Sequence, residues 1–331
     1  MKCKNYILFG LMGLFFIILN SCKEDAIYGV VTNEQVKVYL PFRVFSVIDK
    51  GTAVLDTVNK TVNFPLSVLL GGSSKHEPFT VDVSFDNTFN QVKLDSLIQV
   101  GALPANTVLM PSDMCKIETK DTVKYLNYMT IGQIVPKIYV DSISNFYGKI
   151  VALSVKISNP SKFELNAEQS STVLYFNVED LLYSGAFPIT IVPVNTIINP
   201  GFNDSPYSNG WTQTGDGWGT EGGVTGNCLH YWTGTFPANG STLQTVINLD
   251  NGRYKVSIYY KLAGQNIYLY ANGEQKPLVA NAYTAWTKLD LDFKVTDHTA
   301  TFGIKVINSP NSGNWEPYFN VDDVSLTFKK I

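Results

Sequence analysis

Two stretches in the last third of the chain alternate strictly between apolar and polar side chains, and this pattern restricts the possible folds more than any other feature. Every second residue from Tyr254 to Tyr260 is apolar or aromatic, and so is every second residue from Leu289 to Val295. A period of two is typical of a half-buried antiparallel strand with one solvated face. Strands do not alternate with long amphipathic helices, which argues against a parallel α/β fold. The sequence therefore predicts an all-β protein.

Turn residues divide the last third into hairpins. Asn-Gly at 272–273 follows a short aromatic strand and is typical of a type I′ turn, and Asp-Asn-Gly at 250–252 predicts another turn. Ten glycines fall within residues 201–240 and indicate loops there. We therefore expect a C-terminal jelly-roll β-sandwich over residues 198–331.

Short strands rich in β-branched and aromatic residues also fill the first half of the chain. They are expected at residues 36–45, 61–70, 79–85, 149–158 and 172–178. A short helix is expected at residues 92–100, where Gly101 ends it. This pattern favours an N-terminal Ig-like β-sandwich, which we place at residues 26–181. Residues 182–197 contain two prolines and are expected to be a stiff linker.

The N-terminus has the organisation of a lipoprotein signal peptide, residues 1–21. Two lysines precede the apolar run Ile7–Leu19, which is short for a membrane span of about 20 residues. Leu-Asn-Ser-Cys at 19–22 resembles a lipobox, so we expect lipidation of Cys22; an ordinary signal peptide with an incidental cysteine is the alternative. The Lys-Glu-Asp run that follows resembles the export signal of Bacteroidota surface lipoproteins. The expected location is the outer membrane, with a lipid anchor and the protein facing the extracellular side.

Charge and cysteine content argue against other kinds of site. Without residues 1–21 the chain has 23 basic and 28 acidic residues, a net charge of −5, and no basic cluster. Nucleic-acid binding is therefore not expected. Cys115 and Cys228 fall in different predicted domains, which argues against a disulfide and against a metal site built on sulfur.

All five tryptophans lie within residues 211–315. An indole ring can cover the C–H face of a sugar while its N–H finds a polar partner. Trp218 and Trp232, with the neighbouring Tyr231, and Trp315 stand in glycine-rich or turn-rich segments. A large aromatic residue in a polar loop is a candidate recognition residue; the alternative is packing under its own loop.

A second candidate set consists of Tyr259, Tyr268 and Tyr270, expected side by side on the outer face of adjacent strands. We favour the loops, because tryptophan offers more stacking area and glycine lets a sugar approach the backbone. Trp211 and Trp286 adjoin strands and are expected in the core.

A catalytic centre is not evident. The three histidines are scattered, and the sequence has neither a nucleophile elbow nor a phosphate-binding loop. A glycosidase needs two carboxylates flanking a cleft, and the loop residues Asp216, Glu221 and Glu316 are more simply explained as solvated charges. We therefore expect a protein that is not an enzyme.

Two motifs, at residues 38–40 and 151–161, give residues 26–180 a resemblance to an Ig-like domain of unknown function. That family precedes glycoside hydrolases or lectin-like modules in Bacteroidota surface lipoproteins. The resemblance implies a role in spacing and presentation.

Four motifs carry a second resemblance. They are Asn-Pro-Gly-Phe at 199–202, residues 252–257, Ala-Trp-Thr at 285–287, and residues 319–326. With them the second half resembles the galactose-binding-like superfamily, near carbohydrate-binding modules of families four, nine and twenty-two. The resemblance implies glycan binding and a structural calcium, which takes oxygen ligands. The implied ligands are Asp322 and Asn203, the latter at a position where the family often has glutamate.

Together these features predict a non-catalytic surface lipoprotein that captures polysaccharide or host glycan, with other polysaccharide-utilisation surface proteins as expected partners. The alternatives are a structural or adhesive protein that binds a protein partner, and a glycoside hydrolase.

Overall fold

The computed structural model describes residues 37–41, 44–46, 54–71, 78–117, 120–126, 129–134, 136–185, 187–311 and 317–331. The chain is 51% strand and 10% helix, so the all-β prediction is confirmed. The sheets of residues 37–177 and those of residues 190–330 exchange no strands within the described chain.

The described residues of the first half form fourteen strands. They are β1 Lys37–Tyr39, β2 Val44–Ser46, β3 Val54–Asp56, β4 Thr61–Asn63, β5 Leu66–Gly71, β6 Phe79–Phe85, β7 Thr107–Leu109, β8 Cys115–Lys116, β9 Lys120–Leu126, β10 Met129–Ile134, β11 Lys137–Tyr139, β12 Ile150–Ser158, β13 Glu164–Leu165 and β14 Ser171–Asn177. The helices are α1 Gln91–Gln99, α2 Val140–Ile143 and α3 Val178–Leu182, with 3₁₀ turns at Ser112–Met114, Ser144–Phe146 and Ala167–Gln169. The predicted helix is confirmed: the Asn90 side chain caps α1, and Gly101 follows it with a φ of 74°.

Two sheets enclose the first core. The larger has the order β13-β1-β5-β10-β9-β6-β12-β14-β2, with β7 also on β12, and the smaller has the order β3-β4-β11-β8. Three pairs are parallel: β1 with β13, β7 with β12, and β2 with β14. The core between the sheets includes Phe64, Phe79 and Phe176. The Ig-like assignment stays a prediction.

Where the structure describes the second half, it has eleven strands. They are β15 Thr190–Pro193, β16 Thr212–Thr214, β17 Trp218–Gly222, β18 Asn227–Trp232, β19 Ala238–Val246, β20 Gly252–Ala263, β21 Ile267–Ala271, β22 Glu274–Pro277, β23 Thr287–Val295, β24 Ala300–Ser309 and β25 Tyr318–Lys330. A six-stranded sheet has the order β17-β18-β25-β20-β23, with β15 also on β25, and it faces a five-stranded sheet of order β16-β19-β24-β21-β22. Apolar side chains from both sheets form one core, as in a β-sandwich.

The alternating patterns are confirmed strand by strand. On β20 the side chains of Tyr254, Val256, Ile258 and Tyr260 are buried, and on β23 those of Leu291, Phe293 and Val295 are buried. The Asn-Gly turn joins β21 to β22 with a positive φ at both residues, as a type I′ turn requires.

The predicted linker is in part a strand. β15 lies within residues 182–197 and pairs antiparallel with the end of β25. The backbone N–H of Val194 also donates to the carbonyl of Leu326. This segment is therefore held against the second sandwich by backbone hydrogen bonds, which a sequence pattern with two prolines did not indicate.

Contacts between the halves centre on α3. Glu179 accepts hydrogen bonds from Arg253, at 2.8 Å from Nη2, and from Lys294 Nζ at 2.7 Å. The Tyr183 hydroxyl donates to the carbonyl of Lys329 at 2.9 Å and accepts from the Arg253 backbone N–H at 3.1 Å. The two halves thus share a polar interface around one buried carboxylate.

Candidate functional site

The outer face of the six-stranded sheet carries a group of neighbouring aromatic and polar side chains. On β18 and β25 the side chains of Leu229, Tyr231, Phe319 and Val321 point into the core. Because successive side chains of a strand point to opposite faces, the residues between them lie on the outer face. In the register of the two strands His230 pairs with Asn320 and Trp232 with Tyr318.

Glu221 of β17 is the centre of a hydrogen-bonded cluster on this face. The Tyr318 hydroxyl lies 2.8 and 2.9 Å from the two carboxylate oxygens. The Tyr283 hydroxyl and Asn320 Nδ2 each donate to Oε2 at 3.2 Å. His230 Nδ1 lies 3.6 Å from Oε1 and 3.0 Å from Asn320 Oδ1. We call these five residues the Glu221 cluster.

The cluster holds Glu221 as a carboxylate. Burial raises its pKa, but the hydrogen bonds from Tyr318 and Asn320 and the nearby His230 outweigh burial, so the pKa lies below its ordinary value. Burial and the hydrogen bonds with its partners raise the pKa of Tyr283 far above its usual range. At neutral pH the face therefore has a fixed negative charge surrounded by O–H and N–H donors.

Aromatic rings extend the cluster across β20. The rings of Tyr283 and Tyr318 are 4.4 Å apart between centroids in an edge-on arrangement. Lys261 Nζ lies 5.6 Å from the centroid of Tyr283 and 5.1 Å from that of Trp286, within the range of a cation–π contact. We call the Glu221 cluster together with Trp232, Lys261 and Trp286 the polar-aromatic face.

Two of the predicted loop aromatics lie in or against the core. Tyr231 is fully buried and stacks on Phe319, with centroids 5.1 Å apart, so its predicted exposure to ligand is wrong. The Trp218 ring packs against Tyr231 at 4.5 Å, and its Nε1 donates to the Thr214 carbonyl at 2.8 Å. Both residues lie on strands rather than in loops, and their position in the alternation turns them inward.

The remaining tryptophans differ in their positions. Trp232 is 38% exposed at the end of β18. Trp211 is buried as predicted, whereas Trp286 is half-buried on the outer face beneath Lys261, so its prediction as a core residue is wrong. Trp315 lies outside the described residues.

The predicted tyrosine platform is not formed, because its members belong to different sheets. Tyr259 lies on β20 of the six-stranded sheet, whereas Tyr268 and Tyr270 lie on β21 of the five-stranded sheet. Tyr268 and Tyr270 are half-exposed on the outer face of their own sheet. Lys305 Nζ lies 3.3 Å from the centroid of Tyr270.

Asp322 fastens the turn between β17 and β18 to the last strand. Its carboxylate is fully buried and accepts the backbone N–H groups of Val224 at 2.6 Å, Thr225 at 3.1 Å and Asp323 at 2.8 Å. Burial raises the pKa of Asp322, and these backbone hydrogen bonds oppose the rise. Buried charge is thus compensated by hydrogen-bond donors.

This arrangement does not fit a calcium ion bound by Asp322. Three N–H dipoles point their positive ends at the carboxylate, where a cation would have to stand. Asn203 is nearby, but its Oδ1 accepts the Asn227 N–H at 2.7 Å. In the described chain no three His, Cys, Asp or Glu residues group together as metal ligands would. Calcium binding stays a prediction, and these hydrogen bonds argue against it.

The lipid anchor stays a prediction. Cys22 and residues 1–21 lie outside the described residues. In the part of the chain that the structure does describe, no helix combines the length and apolar character needed to cross a membrane. Cys115 and Cys228 are both buried and free.

The sequence did not indicate the Glu221 cluster, because its members are far apart along the chain. Glu221 precedes Tyr318 by 97 residues and Asn320 by 99. The alternation of residues 228–232 and 318–322 could have separated outward from inward side chains, but only the strand pairing shows which outward residues meet.

No protein-family model and no curated protein matches the sequence. Several solved structures are similar to parts of it. A carbohydrate-binding module of family 61 in complex with β-1,4-galactotriose is 18% identical, with a TM-score of 0.32, over 41% of this chain and 99% of that one. A proposed carbohydrate-binding protein from Bacteroides ovatus ATCC 8483 is 11% identical, with a TM-score of 0.34, over 88% of this chain and 80% of that one. A two-domain protein of unknown function from Bacteroides fragilis NCTC 9343 is 12% identical, with a TM-score of 0.30, over 89% and 95%. Scores this low leave the function to be argued from the site.

Proposed function

We propose that the protein is a non-catalytic surface lipoprotein that binds glycan on the polar-aromatic face. The observation that carries the proposal is the position of the exposed Trp232 ring beside the Glu221 cluster, on one face of a sheet. A sugar presents an apolar C–H face and a rim of hydroxyl groups, so it needs stacking and hydrogen-bonding partners side by side.

The chemistry of the face suits binding better than catalysis. The Glu221 cluster contains one carboxylate, whereas glycoside hydrolysis uses an acid and a base or nucleophile together. A general acid also needs a raised pKa, and the pKa of Glu221 is lowered. The same carboxylate is a good acceptor for sugar hydroxyl groups.

Native affinity gels and titration calorimetry with soluble polysaccharides test the proposal. The panel would contain mixed-linkage glucan, xylan, mannan, galactan and arabinan. Trp232→Ala and Tyr318→Ala should each weaken binding of a retarding polysaccharide by about 1–3 kcal/mol. Tyr139→Ala is a matched control, because Tyr139 is 40% exposed on the first half of the chain.

Full binding by both face variants would move the glycan site elsewhere. Absence of retardation by every polysaccharide, with a defined protein partner recovered instead, would favour an adhesive function.

The location is a separate part of the proposal. The lipobox-like sequence before Cys22 supports an outer-membrane anchor, where the protein would capture glycan beside other polysaccharide-utilisation proteins. Cys22→Ala should abolish labelling by fatty acid and release the protein from membranes. A Cys22→Ala protein that remains membrane-bound would contradict the anchor.

A further inference from the structure

An open groove of about 760 Å³ lies at one edge of the second sandwich, next to the polar-aromatic face. It is formed by the connection from β20 to β21 and by the segment that follows β22. Its lining includes Ala263, Gln265, Asn266, Tyr268, Pro277 and Ala282. All nine lining residues are uncharged, so the groove suits a neutral polar ligand.

The groove offers the two kinds of contact that a sugar requires. The half-exposed ring of Tyr268 forms part of one wall, and Pro277 adds exposed apolar surface. The Gln265 side chain is exposed. Neither its amide group nor the Tyr268 hydroxyl makes a hydrogen bond with the described residues. These two groups are therefore available to the hydroxyl groups of a ligand. They are not needed to hold the segment in place, because its backbone makes its own hydrogen bonds, such as the one from the Ile307 N–H to the Asn266 carbonyl at 3.0 Å.

The groove adjoins the polar-aromatic face through two of its lining residues, Ala263 and Ala282. Ala263 lines the groove and is also the partner of Tyr318 in the pairing of β20 with β25. Ala282 lines the groove and directly precedes Tyr283. The backbone of Tyr283 is held against β20 by a hydrogen bond to the Leu262 carbonyl. A chain lying over Tyr318 and Tyr283 therefore reaches the groove by passing these two alanines.

We propose that this groove is a second subsite, which takes further units of a neutral polysaccharide whose preceding units lie on the polar-aromatic face. This inference rests on the proposed function and makes the ligand an extended stretch of polymer rather than a single sugar or a short chain end. Two contiguous subsites make affinity increase with chain length, because each added contact is made without a second loss of translational freedom.

Oligosaccharides of increasing length test this inference. The probes are the trisaccharide and hexasaccharide of whichever neutral polysaccharide retards the full chain in affinity gels, measured by calorimetry. Tyr268→Ala and Gln265→Ala should each weaken hexasaccharide binding, by about tenfold for Tyr268→Ala, and leave trisaccharide binding unchanged. Tyr270→Ala is the matched control, since Tyr270 lies on the same face of β21 but outside the groove lining.

The outcomes separate the two proposals. Equal hexasaccharide affinity in wild type, Tyr268→Ala and Gln265→Ala would overturn the subsite while leaving the face intact. Loss of hexasaccharide binding in Tyr270→Ala alone would also overturn it. If Tyr268→Ala fails to fold, Gln265→Ala decides, because that side chain is exposed. Absence of binding to every polysaccharide would overturn the proposed function and the subsite together.

Discussion

Trp211 and Trp232 are chemically identical side chains in opposite environments. The Trp211 ring is 6% exposed and packs 5.0 Å from Phe202 and 6.1 Å from Phe302, and its Nε1 donates to the Asn199 carbonyl at 3.1 Å. Trp211→Ala should lower the free energy of unfolding by about 3–5 kcal/mol, because it leaves a large cavity in the core. Trp232→Ala should change it by less than about 1 kcal/mol. Urea unfolding of the two variants measures both values, and equal losses would contradict the assignment of Trp232 to the surface.

At the same scale, the pKa of Glu221 reports whether the cluster exists in solution. Tyr318→Phe removes a hydroxyl donor and should raise the pKa of Glu221 toward its ordinary value of 4.5. Carboxyl carbon NMR over an acid titration measures the change, and Tyr259→Phe is the control. Because the folded pKa is the lower one, the carboxylate stabilises the fold above the ordinary pKa of glutamate. That contribution is lost as pH falls through the lowered value. A Glu221 pKa unchanged by Tyr318→Phe would contradict the hydrogen bonds.

At the scale of elements, β25 holds the turn after β17 through Asp322. Asp322→Ala should lower the free energy of unfolding by about 1–3 kcal/mol, since three backbone N–H groups lose their acceptor. Asp216→Ala, at an exposed position, is the control. Because these donors already compensate the carboxylate, EDTA should leave the Tm of the wild type unchanged. A Tm that falls with EDTA and recovers with added calcium would show instead that the protein binds calcium.

Strand faces could be predicted from the sequence, whereas strand neighbours could not. A period of two decides which side chains of β20 and β23 are buried, whatever the topology. It does not show that β21, which follows β20 after a short connection, belongs to the opposite sheet. The predicted platform of Tyr259 and Tyr268 is wrong for this reason. His230 and Tyr231 are consecutive residues of β18, and their side chains point to opposite faces of the sheet. Without the strand register, the sequence does not show which of the two points into the core.

The polar-aromatic face depends on this same long-range pairing. Strand β18 pairs with both β17 and β25 and lies between them. Glu221 and Tyr318 come within contact distance only because of this pairing. Composition indicated aromatic recognition in the last third of the chain, but it favoured glycine-rich loops, and part of that segment is sheet. The physical reason is that local propensity is overridden by cross-strand packing.

At the scale of the whole molecule, Glu179 links the two halves of the chain. Its side chain is 11% exposed and bridges Arg253 and Lys294, which lie on β20 and β23 of the second sandwich. Burial raises the pKa of Glu179, but the hydrogen bonds from Lys294 and Arg253 lower it below its ordinary value. The bridge is therefore present at neutral pH and is lost as pH falls from the ordinary glutamate pKa of 4.5 through the lowered value.

Glu179→Ala should weaken the interface by about 1–2 kcal/mol, a modest figure because Arg253 and Lys294 are partly solvated and can rehydrate. In differential scanning calorimetry at pH 7 the wild type should unfold in one cooperative transition. Glu179→Ala should unfold in two, one for each half. The wild type should show the same separation in acid, where Glu179 is protonated. Asp290→Ala, which removes a more exposed carboxylate within the second sandwich, is the control and should keep a single transition. Two transitions in the wild type at pH 7 would show that the interface around α3 does not couple the halves.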